Sequence, residues 1–75
     1  MGIYADKQFY GFRIQWLVKE IETAFGRRVI RKANISETLL NEVVDGKWNQ
    51  ISLETLRKME AELERVGYKI FDKLI

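Results

Sequence analysis

Apolar residues recur every three or four positions in two long stretches of this chain, which is the spacing of amphipathic helices. The first stretch spans residues 9–25. Its apolar positions are Phe9, Phe12, Trp16, Leu17, Ile21, Ala24 and Phe25. We expect these side chains to be buried, with Gly11 weakening the first turn of the helix and Gly26 ending it. Residues 27–33 are also helical in character, and the pattern leaves open whether they form a separate helix or continue one bent at Gly26.

The second long stretch predicts the last helix, with Ser52 as its N-cap and Gly67 as its stop. Its apolar stripe consists of Leu53, Leu56, Met59, Leu63 and Val66. On the polar side, Glu54, Lys58 and Glu62 alternate in sign at intervals of four residues, which favours ion pairs along an exposed helix.

The two ends of the chain lack this helical period. Residues 68–75 are rich in β-forming side chains and predict a short C-terminal strand. Residues 1–8 predict an N-terminal arm or a short strand. A lone strand needs a partner, which would be either this arm or the same strand of a second subunit.

A short helix with clear end signals lies between the long ones. Asn34 is expected to take the left-handed backbone of a tight turn, and Ile35 to be buried in that turn. Ser36 is a good N-cap for a helix over residues 37–45, and Gly46 is its expected C′ residue. The side chains expected to be buried are Leu39, Leu40, Val43 and Val44.

Composition excludes most catalytic roles. The 75 residues form one expected domain, and they include no cysteine and no histidine. Thiolate chemistry, disulfides, histidine bases and the usual zinc sites are therefore excluded. The two serines, Ser36 and Ser52, have no histidine to activate them, so we expect no enzyme, no metal and no cofactor.

Apolar runs reach three or four residues at most, and the N-terminus lacks a signal-peptide pattern, which predicts a cytoplasmic protein.

Positive charge is concentrated just before the short helix. The net charge is only +2, yet Arg27, Arg28, Arg31 and Lys32 fall within six residues. On a helix they form i, i+4 pairs and make one positive surface that suits a phosphate backbone. The equally weighted alternative is a solvated face whose charges pair with the glutamates just upstream, at positions 20 and 22.

Three short motifs follow one another in a telling order: Asn-Ile-Ser at 34–36, Asp-Gly-Lys at 45–47 and Ser-Leu-Glu-Thr-Leu at 52–56. Over roughly residues 25–66 the chain thereby resembles the Xre/Cro-type helix-turn-helix regulators. The resemblance implies a mainly α, lambda-repressor-like bundle of four to five helices, here with the short C-terminal β-strand added. It also implies a sequence-specific transcriptional regulator of phage or bacterial type, which binds double-stranded DNA as a homodimer on a palindromic operator.

The same resemblance assigns roles to particular residues. It implies that Glu37, Thr38 and Asn41 face the bases, where asparagine pairs with adenine and threonine meets a thymine methyl. The expected phosphate-contacting residues are Arg27, Arg28, Arg31, Lys32, Ser36, Lys47 and Trp48. For Trp48 the alternative is an anchor that folds the loop onto the helices.

A second function remains open because the expected recognition helix is acidic. It carries Glu37, Glu42 and Asp45 and no basic residue. The alternative is a protein-binding module with the same fold, such as a phage-encoded inhibitor or an antitoxin. Such a module would bind a protein partner through the acidic third helix or the C-terminal strand.

Aromatic residues are concentrated near the N-terminus. Five of the nine fall in the first 16 positions, namely Tyr4, Phe9, Tyr10, Phe12 and Trp16. We expect them to pack in the core around the first helix, with a partner-binding patch as the alternative.

Overall fold

The protein is mainly helical. The computed structural model describes the backbone of residues 3–74 and the side chains of residues 7–68. It contains the helices α1 (Ile3–Phe25), α2 (Arg27–Ile30), α3 (Glu37–Val44) and α4 (Leu53–Leu74), with a 3₁₀ turn at Trp48–Gln50. No strand occurs within residues 3–74. In the same part of the chain, no helix combines the length and apolarity needed to cross a membrane.

The two long helices form the framework. α1 and α4 pack against each other most extensively, and α2, α3 and the 3₁₀ turn all contact α1. The buried core residues are Ile14, Leu17, Val18, Ile21, Ile30, Ala33, Val43, Ile51, Leu56, Met59 and Leu63. The stripe predicted for the last helix is confirmed at its centre, because Leu56, Met59 and Leu63 are all buried.

The buried face of α1 differs from the predicted one. Leu17 and Ile21 are buried as expected, but they are joined by Ile14 and Val18. Phe9, Phe12, Trp16 and Phe25 are exposed, and so is Ala24. Apolar residues occupy two sides of this helix. The aliphatic side runs through Ile14, Leu17, Val18 and Ile21, and it is the side that packs in the core.

Gly26 separates α1 from α2, which settles the question that the pattern left open. Its backbone angles are φ 86° and ψ 170°, a region that only glycine populates readily. The chain therefore turns sharply here instead of bending one continuous helix, and α2 starts in a new direction.

Both predictions for the chain ends are wrong within the described residues. Residues 3–8 belong to α1, and residues 68–74 continue α4 through Gly67. Extending an existing helix adds one hydrogen bond for each residue fixed, whereas a lone strand leaves its backbone groups without partners. One glycine inside a helix costs only about 1 kcal/mol. Residues 1, 2 and 75 lie outside the described residues.

Candidate nucleic-acid interface

The segment between α2 and α3 is a tight turn, not the longer helix expected over residues 27–33. α2 ends at Ile30, and Arg31 is its C-cap. The N–H groups of Lys32 and Ala33 then donate to carbonyl oxygens three residues back, at 3.0 Å each. This tightening turns Ile30 and Ala33 into the core together.

Asn34 does not adopt the left-handed backbone that the sequence predicted. Within the described chain, positive φ occurs at Gly26 and Gly46 and at no other type of residue. Asn34 contributes through its main chain, because its N–H donates to Glu62 Oε1 of α4 at 2.8 Å. A contact 28 residues away therefore supports the turn.

Glu62 and Arg65 together brace this turn against α4. Arg65 Nη2 donates to Glu62 Oε1 at 2.8 Å and to the carbonyl oxygen of Lys32 at 3.2 Å. The hydrogen bond from Arg65, followed by that from the Asn34 N–H, lowers the pKa of Glu62 from its ordinary value. Sequence reasoning placed Glu62 on the solvated side of the helix and missed this role. The signal available was its i, i+3 spacing to Arg65.

Both predicted end signals of α3 are confirmed. Ser36 is the N-cap, and its Oγ accepts a hydrogen bond from the Leu39 N–H at 3.5 Å. At the other end Gly46 has φ 84°. The Gly46 N–H donates to the Val43 carbonyl at 2.9 Å, and the Lys47 N–H donates to the Glu42 carbonyl at 2.8 Å. This pair of bonds is a Schellman motif, which satisfies carbonyls that the helix leaves open.

A side chain from α1 also holds the C-terminus of α3. Gln15 Nε2 donates to the carbonyl oxygens of Val43 and Val44, at 3.0 and 3.1 Å. Val43 is buried beneath this contact, whereas Val44 is 45% exposed and not buried as predicted. Gln15 gave no sequence signal, because it lies outside any capping position of its own helix.

The predicted base-facing residues share the outer surface of α3. Glu37, Thr38 and Asn41 are all exposed, and their spacing of one and four residues places them on neighbouring positions of the helix. Ser36 is exposed beside them. Glu42 and Asp45 follow toward the C-terminus of the helix.

The side chains of the basic block are exposed, and among the side chains of residues 7–68 they have no ion-pair partner. Arg27, Arg28, Arg31 and Lys32 all face solvent. Among the side chains of residues 7–68, the ion pairs join Arg13 to Glu60 and Glu64, Lys58 to Glu54, and Arg65 to Glu62. The expected alternative, pairing of this block with the glutamates at 20 and 22, does not occur in that part of the chain.

The residues of the basic block do not all border the same cavity. Arg27 and Arg31 line a shallow cleft of about 210 Å³ between α2 and α3, together with Glu37 and Asn41. Lys32 lines a different groove, near the end of α4. The two arginines are thus the part of the block that shares a cavity with expected base-facing residues.

Trp48 is the loop anchor that one of the two interpretations expected. Its indole packs against the core and covers Gly11 of α1, where an added Cβ would overlap the ring. Phe12 meets the ring edge to face, at a centroid distance of 5.1 Å. Lys47 is exposed in the preceding position. Of these two loop residues, Lys47 is the one whose side chain remains available to a phosphate.

Comparison with known proteins gives no relative for this chain: no family model, curated protein or solved structure matches it. The described residues also contain no group of three acidic side chains placed to hold a metal ion. The arrangement around α3 is therefore interpreted from its own chemistry, which is a polar helix face bordered by two arginines that form no ion pair among the side chains of residues 7–68.

Proposed function

We propose that this protein is a cytoplasmic DNA-binding regulator of the phage or bacterial helix-turn-helix type, which acts as a dimer on a palindromic operator. The observation that carries the proposal is the cleft in which Arg27 and Arg31 lie beside Glu37 and Asn41. Guanidinium groups bind phosphates well, and the neighbouring carboxylate and amide can pair with base edges. Backbone and base contacts would therefore adjoin in one small area.

The acidic character of α3 is compatible with this proposal because of where its charges lie. Recognition helices contact bases through their N-terminal residues. Glu37 is the first residue of α3, and a glutamate there can accept a hydrogen bond from cytosine N4. Glu42 and Asp45 are later in the helix, away from that contact. Thr38 and Asn41 would supply the contacts to thymine and adenine.

Affinity would come from the basic residues around α3. Arg27 and Arg31 flank its N-terminus, and Arg28, Lys32 and Lys47 add charge nearby. Ser36 would donate its hydroxyl proton to a phosphate while its Oγ caps the helix. If about eight phosphates are neutralised per dimer, log affinity should fall with log salt at a slope near −7.

The test is retention of genomic or phage DNA fragments by the purified protein, at low and at moderate salt. We expect one discrete fragment to survive added competitor DNA. Changing both Arg27 and Arg31 to glutamine should weaken its retention strongly and reduce the salt slope by about 4 for a dimer. The matched control changes Lys19 and Lys58 to glutamine. Both are exposed cations that do not line the cleft, so this variant should retain the fragment as the wild type does. Binding that ignores salt would refute the proposal.

A second candidate function is a protein-binding module, and one observation favours it. Glu37 and Glu42 lie on α3 and Asp45 is its C-cap, and none of the three forms an ion pair within the described side chains. This surface suits a basic protein partner. Changing Glu37 and Glu42 to lysine should abolish binding to such a partner, while the Arg27 and Arg31 changes leave it intact. DNA binding predicts that the Arg27 and Arg31 changes weaken retention strongly, whereas the glutamate changes leave binding to DNA and alter its base preference through Glu37.

A further inference from the structure

Three exposed aromatic side chains of α1 form a surface outside the buried core and the cleft, and of these Phe12 also contacts the loop anchor Trp48. Phe9 is 58% exposed, Phe12 54% and Trp16 41%. Their spacing of three and four residues aligns them in a stripe two turns long. At about 100° per residue, the stripe lies roughly 160° around α1 from its buried aliphatic side. We refer to these three residues as the aromatic stripe.

From this surface we propose that the aromatic stripe is the homodimer interface, in which α1 packs antiparallel against α1 of a second copy. A two-fold axis that passes between residues 12 and 13 brings Phe9 of one copy opposite Trp16 of the other, because the midpoint of these two residues along α1 lies on that axis. This arrangement places the same surface of both copies in contact, as an isologous interface requires.

The exposed area favours a second copy as the occupant. Taking each aromatic residue as about 200–250 Å², the three rings expose roughly 300 Å². A small homodimer buries about 800 Å² per partner, of which about 65% is apolar. The stripe therefore supplies more than half of the apolar area needed, and flanking residues supply the rest.

The charges beside the stripe do not oppose this pairing. Arg13 borders it, with its guanidinium 5.3 Å from the centroid of the Trp16 ring. Its charge is already paired inside its own copy, with Glu60 at 3.3 Å and Glu64 at 3.6 Å. The Arg13 guanidinium groups of two copies can thus approach as paired charges.

The position of α3 relative to the stripe connects this dimer with DNA. Gln15, which holds the C-terminus of α3, lies about 90° around α1 from the stripe, and Arg13, which contacts α4, lies on the opposite flank. The two-fold axis of an antiparallel pair is perpendicular to both helices and to the line that joins them. Rotation about this axis leaves its direction unchanged, so the flank of α1 that faces along it faces the same way in both copies. Both α3 helices therefore lie on the same side of the dimer. This role rests on the proposed DNA-binding function, whereas the interface itself rests on the stripe.

The experiment measures self-association of the full chain by sedimentation equilibrium in the absence of DNA. The wild type should dimerise, and Phe9→Glu should weaken dimerisation by about 100-fold or more, because each change acts at both ends of the interface. The matched control is Tyr68→Glu, since Tyr68 is 59% exposed but lies off the stripe. It should have no effect. A wild type that is monomeric at every concentration overturns the proposal, as does an equal effect of the two variants.

A second measurement covers the case in which Phe9→Glu fails to fold. The chain contains no cysteine, so a single introduced thiol can form only intermolecular disulfides. Phe12→Cys should give a covalent dimer under mild oxidation, because the two-fold axis brings its two copies together, whereas Tyr68→Cys should not. Equal crosslinking of both overturns the interface. A stripe-dependent dimer that retains no DNA refutes only the proposed function, and specific retention by a monomer refutes only the dimer.

Discussion

Because Gly11 contacts Trp48, we expect Gly11→Ala to destabilise the protein, which is the opposite of what helix propensity predicts. Gly11 lies inside α1, where replacing glycine by alanine ordinarily stabilises a helix by about 1 kcal/mol. Here the added methyl group would overlap atoms Cδ2, Cε3 and Cε2 of the indole. The ring is rigid and packs on the core and on Phe12, so it cannot move aside without losing those contacts.

The magnitude follows from the two opposing effects. Overpacking of this kind costs about 1–3 kcal/mol, and a half-buried tryptophan that is displaced loses part of the roughly 3–5 kcal/mol of a full truncation. After the helix-propensity gain of about 1 kcal/mol, Gly11→Ala should destabilise the protein by about 0–2 kcal/mol through overpacking alone, and by more if the indole is displaced. For a domain of this size the melting temperature falls by roughly 4–8 °C per kcal/mol.

Urea unfolding followed by circular dichroism at the helix band measures this effect, and a double-mutant cycle isolates its cause. In a Trp48→Ala background the ring is absent, so Gly11→Ala should become stabilising by about 1 kcal/mol. The reversal of sign is the decisive result. If Gly11→Ala stabilises the wild type as well, the indole does not occupy the space above Gly11 and the packing argument is refuted.

Two further changes test the backbone and the brace. Gly26→Ala should destabilise by about 1–3 kcal/mol in the same urea assay, because its φ of 86° and ψ of 170° exclude side chains even though an added Cβ would meet no atom. An effect near zero would mean that α1 and α2 are not separated by this backbone. The hydrogen bonds from Arg65 and Asn34 lower the pKa of Glu62 in the folded protein, so its stabilisation is present above the ordinary glutamate pKa and is lost as pH falls through the lowered value. Glu62→Gln should therefore lose less stability than the wild type between pH 7 and pH 3, and equal losses would contradict the brace.

The elements that could be predicted from the sequence are those with local signals. Ser36 and Gly46 determine where α3 begins and ends, because a cap and a left-handed residue act on neighbouring backbone groups only. The stripe of the last helix was identifiable for a similar reason. Leu56, Met59 and Leu63 are its buried apolar residues at helical spacing, and residues 53–68 of that helix present no competing apolar face.

The elements that could not be predicted depend on contacts distant in sequence. α1 has two apolar sides, and only packing against α4 decides that Ile14 and Val18 are buried while Phe9 and Phe12 are not. The turn before α3 depends on Glu62, which is 28 residues from Asn34. The same limit applied to the site. The exposure of the basic block and of the base-facing residues followed from their polarity, but the cleft that brings Arg27 and Arg31 beside Glu37 and Asn41 depends on how α2 is placed relative to α3.

The way α3 is held explains how so short a helix can carry a binding surface. Eight residues are too few for a stable isolated helix in water, so tertiary contacts must fix it. Its N-terminus follows the turn that Glu62 braces from α4, and its C-terminus is held by Gln15 from α1. Val43 fixes the inner side by burial. The outer side chains of Thr38 and Asn41 take no part in these contacts. Their replacement should therefore alter what the surface binds without altering the fold, which is the condition under which a binding site can be tested residue by residue.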